Sequence, residues 1–269
     1  MLSKLLKYEI KATARLFLPL YLTIIVFSVI NLIFLNVPTP GERTLFLYSA
    51  GMTISMIVYG ILMVGLVVMT LFVLIQRFYK SLLGDEGYLM FTLPVKSWSH
   101  ILSKLMIAIL WTITSGFVAS SSILIISANK INITELLQGL SAAYAQITQE
   151  FGAYSALIAL EVIILGLLSI AVTVLTIYAA IALGQLFSKH KQLASFGMYI
   201  ALQVISQIIM SVSSAVFFNL AIFKPESTLI SNLTLVSVGL LLSILYLGAF
   251  TAGYFYLTNF ILKKKLNLE

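Results

Sequence analysis

Between Leu16 and Leu35 the chain carries no charged residue, and five further long apolar runs follow at about 49–75, 101–127, 154–187, 193–212 and 233–262. A helix needs about twenty apolar residues to cross a ~30 Å hydrocarbon core. Backbone in hydrocarbon must satisfy its own N–H and C=O groups, which leaves helices or closed barrels as the spanning structures. Runs of this length without strand-like alternation predict an all-α integral membrane protein, a single domain over residues 1–269 with six transmembrane helices. The composition agrees, with 61% hydrophobic and 9% charged residues against about 25% charged in soluble domains. The first run is too long for a signal peptide, no small-residue cleavage site follows it, and more spans come after it.

The chain contains no cysteine and only two histidines, His100 and His190. There is accordingly no disulfide framework, thiolate metal site or cysteine nucleophile, and the expectation is no metal and no catalytic residue. The net charge of +7 is explained by where the basic residues stand. Six spans put both termini on one side. On that side lie Lys4, Lys7, Lys11, Arg15, Arg77, Lys80, Lys96, Lys104, Lys189, Lys191, Lys263, Lys264 and Lys265, against Arg43, Lys130 and Lys224 on the other. Lys and Arg favour cytoplasmic loops, so this bias of 13 against 3 predicts cytoplasmic termini and needs no nucleic-acid partner.

Residues 1–15 read as a two-faced helix. At about 100° per residue, Lys4, Lys7, Lys11 and Arg15 fall in one stripe, with Leu2, Leu5, Leu6 and Ile10 largely opposite. Such a helix is expected to lie on an anionic leaflet, with membrane lipid as a partner. Glu9 falls in the middle of the apolar face, where it either reaches out to the headgroups or pairs with a basic group.

A polar segment at 76–100 separates the second and third apolar runs and holds five of the 25 charged residues. Asp85, Glu86 and Gly87 precede Tyr88, Leu89, Met90 and Phe91, and Leu93-Pro94 closes the run. Acidic residues suit the positive end of a helix, and a proline pushes the residue before it out of the helical region. One to two turns of helix are therefore expected here, held at the cytoplasmic mouth of two spans. A solvated tether needs no Tyr, Leu, Met and Phe in succession, so this helix is expected to seat in a partner, the alternative being that it lies in the headgroups.

On the far side, 128–153 carries Leu136, Leu137, Leu140, Tyr144, Ile147 and Phe151 at helical spacing, an amphipathic segment. Glu161 is ionisable within a span and so a functional candidate by default. Counting back about twenty residues from Phe187 places it near the outer headgroups and not at mid-bilayer, which favours the plainer reading. Lys189-His190-Lys191 forms a tight basic turn. The apolar run from Leu193 to Phe223 would make a helix of roughly 46 Å, too long for one crossing. Ser211, Ser213 and Ser214 interrupt it, and Lys224-Pro225-Glu226 follows, so a crossing over 193–212 and a re-entrant hairpin over 213–231 are expected. Within this part Gln203, Gln207, Met210, Ser214 and Asn219 form a mildly polar set, either glue between helices or, with Glu161, the lining of a path for an amphipathic substrate.

No G-x-x-x-x-G-K-[ST] phosphate loop and no H-E-x-x-H occurs, and no internal repeat is visible. The basic first helix with Tyr8-Glu9, the six spans, and Asp85-Glu86-Gly87-Tyr88-Leu89-Met90-Phe91-Thr92-Leu93-Pro94-Val95 followed by Ser103-Lys104 together resemble ABC-2-type permeases. The similarity is closer to the small permease subunits of Gram-positive ABC exporters, among them exporters of amphipathic peptide toxins such as phenol-soluble modulins and bacteriocin self-protection systems. The resemblance implies that Asp85 to Phe91 form a coupling helix docking in a groove of a separate cytoplasmic ATPase, with the Lys189–Lys191 turn as a smaller contact. It implies two permeases, identical or homologous, and two ATPases per transporter, with ATP and magnesium held by the ATPase and no cofactor bound by this chain. A peptide cargo would then leave the cell by alternating access across a bacterial cytoplasmic membrane. It likewise implies a hairpin before the last span. The rival classes are a solute-binding membrane subunit of a vitamin-type importer, which needs no aromatic plug at Tyr88, and a lipid-modifying enzyme, for which an acid–base constellation is missing.

Overall fold

The computed structural model describes residues 2–37, 42–82, 97–128, 133–187, 189–219 and 229–264. Seven α-helices form this described part: α1 (Leu2–Asn36), α2 (Glu42–Leu82), α3 (Ser97–Ser127), α4 (Ile133–Phe151), α5 (Ser155–Gly184), α6 (Lys191–Asn219) and α7 (Leu229–Lys264), with a 3₁₀ turn at Gly152–Tyr154 leading into α5. Six of them, all but α4, are long and apolar enough to cross a membrane, the pattern of a multi-pass membrane protein. The expected short helix at Asp85–Pro94 and the centre of the expected hairpin, 220–228, lie outside the described residues, as do the side chains of Lys4 and Asn219.

Two differences from expectation have local causes. The basic segment and the first apolar run are one helix, 35 residues long, which at 1.5 Å per residue is about 52 Å and well beyond what a core of ~30 Å needs. Nothing between Lys11 and Leu18 breaks a helix, and Pro19 costs one backbone hydrogen bond without ending it. Ser211, Ser213 and Ser214 also fail to interrupt α6, which runs through to Asn219. Their hydroxyls donate to carbonyls of the preceding turn, on Gln207 at 2.8 Å, Met210 at 2.9 Å and Ser211 at 3.0 Å. A serine that back-bonds in this way carries no unsatisfied group and stays in an apolar helix.

The chain divides into two compact units, one of residues 1–74 with 106–146, the other of 75–105 with 147–269. In the first unit α1 presents a seam of Thr13, Phe17, Tyr21, Ile24, Ser28 and Asn31, all buried and spaced by three or four residues, the repeat by which helices interlock. Phe17 stacks on Trp111 with centroids 4.5 Å apart, and Leu66, Val73, Ile107 and Val118 complete the cluster. In the second unit α5 packs against both α6 and α7. Its last turns carry Ala171, Ala179, Ala180, Ala182 and Gly184, all buried, small residues that let helix backbones approach closely.

Candidate functional site

The first unit is tied together by polar rungs whose direction follows from their geometry. Thr70 Oγ1 donates to the Leu66 carbonyl at 2.7 Å, which leaves its oxygen to accept from Ser115 Oγ at 3.1 Å. Ser115 then accepts from the Tyr21 hydroxyl at 2.8 Å. One turn earlier on α3, Trp111 Nε1 donates to Thr13 Oγ1 at 2.7 Å, and Thr13 passes its own proton to the Glu9 carbonyl at 2.7 Å. Further along, Ser122 donates to Ala119 O at 2.8 Å and takes the Tyr59 hydroxyl at 2.8 Å. Each chain ends on a backbone carbonyl, so every proton in it is spent. Satisfied networks rigidify a core where half-satisfied ones would weaken it, and hydrogen bonds between membrane helices contribute about 0.6 kcal/mol each on average. These rungs clamp α1, α2 and α3 together.

In the second unit, several residues one to two turns from the polar segment 83–96 are shut away from solvent, while Lys80 and Trp98, nearer to it, are exposed. Phe78, near the end of α2, is 0% exposed, and at the start of α3 His100 is 2%, Ser103 2% and Lys104 4% exposed. Phe78 stacks on Tyr178 of α5 with centroids 4.0 Å apart and planes 10° from parallel. The Tyr178 hydroxyl donates to the Lys104 carbonyl at 3.5 Å, and Ser103 Oγ to the His100 carbonyl at 2.8 Å. A buried ammonium is costly unless it is compensated, so burial of Lys104 marks a specified position and not a snorkelling surface lysine. The candidate coupling residues Asp85, Glu86, Gly87, Tyr88, Leu89, Met90, Phe91, Leu93 and Pro94 lie outside the described residues. What the structure describes is a buried socket of Phe78, His100, Ser103, Lys104 and Tyr178, formed by α5 and the helix ends that flank the segment.

Tyr178 stands six positions before Gly184, the last residue of α5, so the socket and the turn at 185–190 share one helix. That turn tightens through Leu186 N–H to the Leu183 carbonyl at 3.0 Å and Phe187 N–H to the Gly184 carbonyl at 3.3 Å. His190 then takes φ +54°, a left-handed conformation that is uncommon away from glycine but less so for Asn, Asp and His. Its carbonyl receives the Ala194 N–H at 3.0 Å, opening α6. Lys189, His190 and Lys191 are all exposed. A Cβ at Gly184 would stand 2.6 Å from both N and Cα of Ser195, so the two helices meet in backbone contact directly beneath the turn.

The other candidates fall apart into separate environments. On α1, Lys7, Lys11 and Arg15 are exposed and Glu9 is half-buried. On α6, Gln203 turns back to the Tyr199 hydroxyl of its own helix at 3.1 Å, while Gln207 and Met210 are exposed and Ser214 half-buried. Tyr246 of α7 donates to the Ser206 carbonyl at 2.8 Å, so this stretch of α6 does serve as contact surface for α7. Glu161 is only 5% exposed and accepts a hydrogen bond from Ser237 of α7 at 3.1 Å. No hydrogen bond joins it to the Gln203–Ser214 stripe among the described residues. Nor, among those residues, does any group of three or more His, Asp or Glu converge as metal ligands do. Compared with protein-family models, curated proteins and solved structures, the chain shows no significant match.

Proposed function

We propose that the chain is the permease subunit of an ATP-driven exporter that moves amphipathic or hydrophobic cargo, of the peptide class, outward across a bacterial cytoplasmic membrane with both termini inside. What supports this reading is the polar, aromatic-rich sequence between α2 and α3, together with the buried residues on the helix ends that flank it. A segment that receives force from a partner needs a stiff base. Phe78, His100, Ser103, Lys104 and Tyr178 supply one, all at most 4% exposed. Movement of Tyr88 and Phe91 in the groove of an ATPase would pass through Phe78 and Tyr178 into α5, and along it to the turn at Lys189–Lys191. The energy comes from the partner, since the sequence carries no phosphate-binding loop. Two copies of the ATPase holding ATP and magnesium, and a second permease, identical or homologous, complete the assembly. The cargo path is assigned to the Gln, Ser and Met faces of α6.

Everted membrane vesicles containing the chain and its ATPase provide the test, with a fluorescent amphipathic peptide as cargo. ATP-dependent accumulation that needs both proteins is the expected result. Accumulation that persists without ATP, or with this chain omitted, would remove the proposal.

A further inference from the structure

The carboxyl group of Glu161 has no use in the scheme above, yet its setting is specific. From Ser155 to Ile170 it is the one buried residue of α5; its neighbours on the same face, Leu157 and Ile164, remain 44% and 36% exposed. Oε1 accepts the Ser237 hydroxyl at 3.1 Å. Oε2 is buried and accepts no hydrogen bond among the described residues. A contact between helices that excludes water around a carboxyl and satisfies one oxygen of two is a poor device for stability alone, because the unsatisfied oxygen bears the full desolvation penalty. An apolar pair at these two positions would hold the helices better.

We infer that Glu161 and Ser237 form an acceptor site, between α5 and α7, for the ammonium group of a membrane-resident amphiphile. The ligand class follows from the atoms present. Two carboxylate oxygens and one hydroxyl are too few for a divalent ion, which takes six or more oxygens. An ammonium brings three N–H donors and no acceptor, and the open lone pairs of Oε2 and of Ser237 Oγ match it. The half-exposed apolar face at Leu157, Leu160 and Ile164 lies alongside for the apolar body. In this structure α5 and α7 close over the carboxyl, so the ligand enters when they part at Ser237.

This inference concerns the chain by itself and does not depend on an ATPase partner, so it stands or falls separately from the exporter reading. The intact protein in liposomes is treated with dicyclohexylcarbodiimide, which modifies carboxyl groups in apolar surroundings, and adduct formation at Glu161 is read by mass spectrometry. Modification of Glu161 is expected, with several-fold protection by dodecylammonium and none by dodecanol. Ser237→Ala should weaken that protection, and Glu161→Gln sets the background. Equal protection by dodecanol would show an apolar groove and overturn the site; protection by sodium chloride alone would make it an alkali-ion site and overturn the ligand class. Absence of modification under every condition would overturn both.

Discussion

Gly184→Ala is the smallest change that should disturb the turn between α5 and α6, and its size can be worked from the contacts. The new methyl carbon would lie 2.6 Å from N and Cα of Ser195, where carbon atoms in contact sit at about 3.5–4.0 Å. The obstacle is backbone, so no rotamer change relieves it and the two helix ends must separate. Overpacking of this kind costs about 1–3 kcal/mol. Alanine recovers some of that, up to about 0.8–1 kcal/mol in a helix interior, and less at the last residue of a helix. A net loss of about 1–2 kcal/mol is expected, a roughly 5- to 30-fold shift in the ratio of folded to unfolded protein. Gly166 in the same helix is the control, because a Cβ there meets nothing within 4 Å, and Gly166→Ala should be neutral or stabilising. Unfolding of the purified protein in mixed micelles, followed by circular dichroism, measures both. Ser195→Gly should not rescue Gly184→Ala, since N and Cα remain in place. Equal stability of the two alanine variants would refute the close approach of α5 and α6.

Thr13→Val removes the acceptor for Trp111 Nε1 and leaves a buried donor, at a cost of about 1–3 kcal/mol; Thr23→Val, whose hydroxyl bonds only to the Pro19 carbonyl of its own helix, should cost less in the same unfolding assay. Phe78→Leu and Tyr178→Leu, combined in a double-mutant cycle, should show a coupling of about 0.5–1.5 kcal/mol from the lost ring stack, and a coupling near zero would contradict the socket. Because the chain has no cysteine, single-cysteine variants report the topology directly. Lys189→Cys and Lys263→Cys should react with an impermeant maleimide only from the cytoplasmic face, and Ser141→Cys only from the opposite face.

The six apolar runs are legible because hydrophobic length alone decides them, and each falls on one of the helices α1–α3 and α5–α7. Boundaries are less so. The passage of α6 through Ser211–Ser214 depends on serines, which cap a helix or back-bond within it according to surroundings that sequence does not state. The rungs of the first unit are hard to read from sequence for a related reason. Thr13, Tyr21, Thr70, Trp111 and Ser115 are ordinary residues of apolar helices, and only the pairing of faces turns them into a network. One signal was present, since Thr13, Ser28 and Asn31 lie on the same seam as Phe17, Tyr21 and Ile24. Glu161 was read from its distance along the helix, which gives depth but not the direction it faces. Burial of His100 and Lys104 likewise had no sequence signal beyond the Ser103-Lys104 pair.

The central claim is that an ATPase seats on the segment between α2 and α3. Purification of the protein from membranes of its native host, with identification and quantification of what accompanies it, tests this most directly. A cytoplasmic ATPase in one-to-one ratio with the chain, lost on combining Tyr88→Ala with Phe91→Ala while the chain remains folded in the membrane, is the predicted result. A chain that purifies alone, or an ATPase that stays bound to the doubly substituted protein, would contradict it.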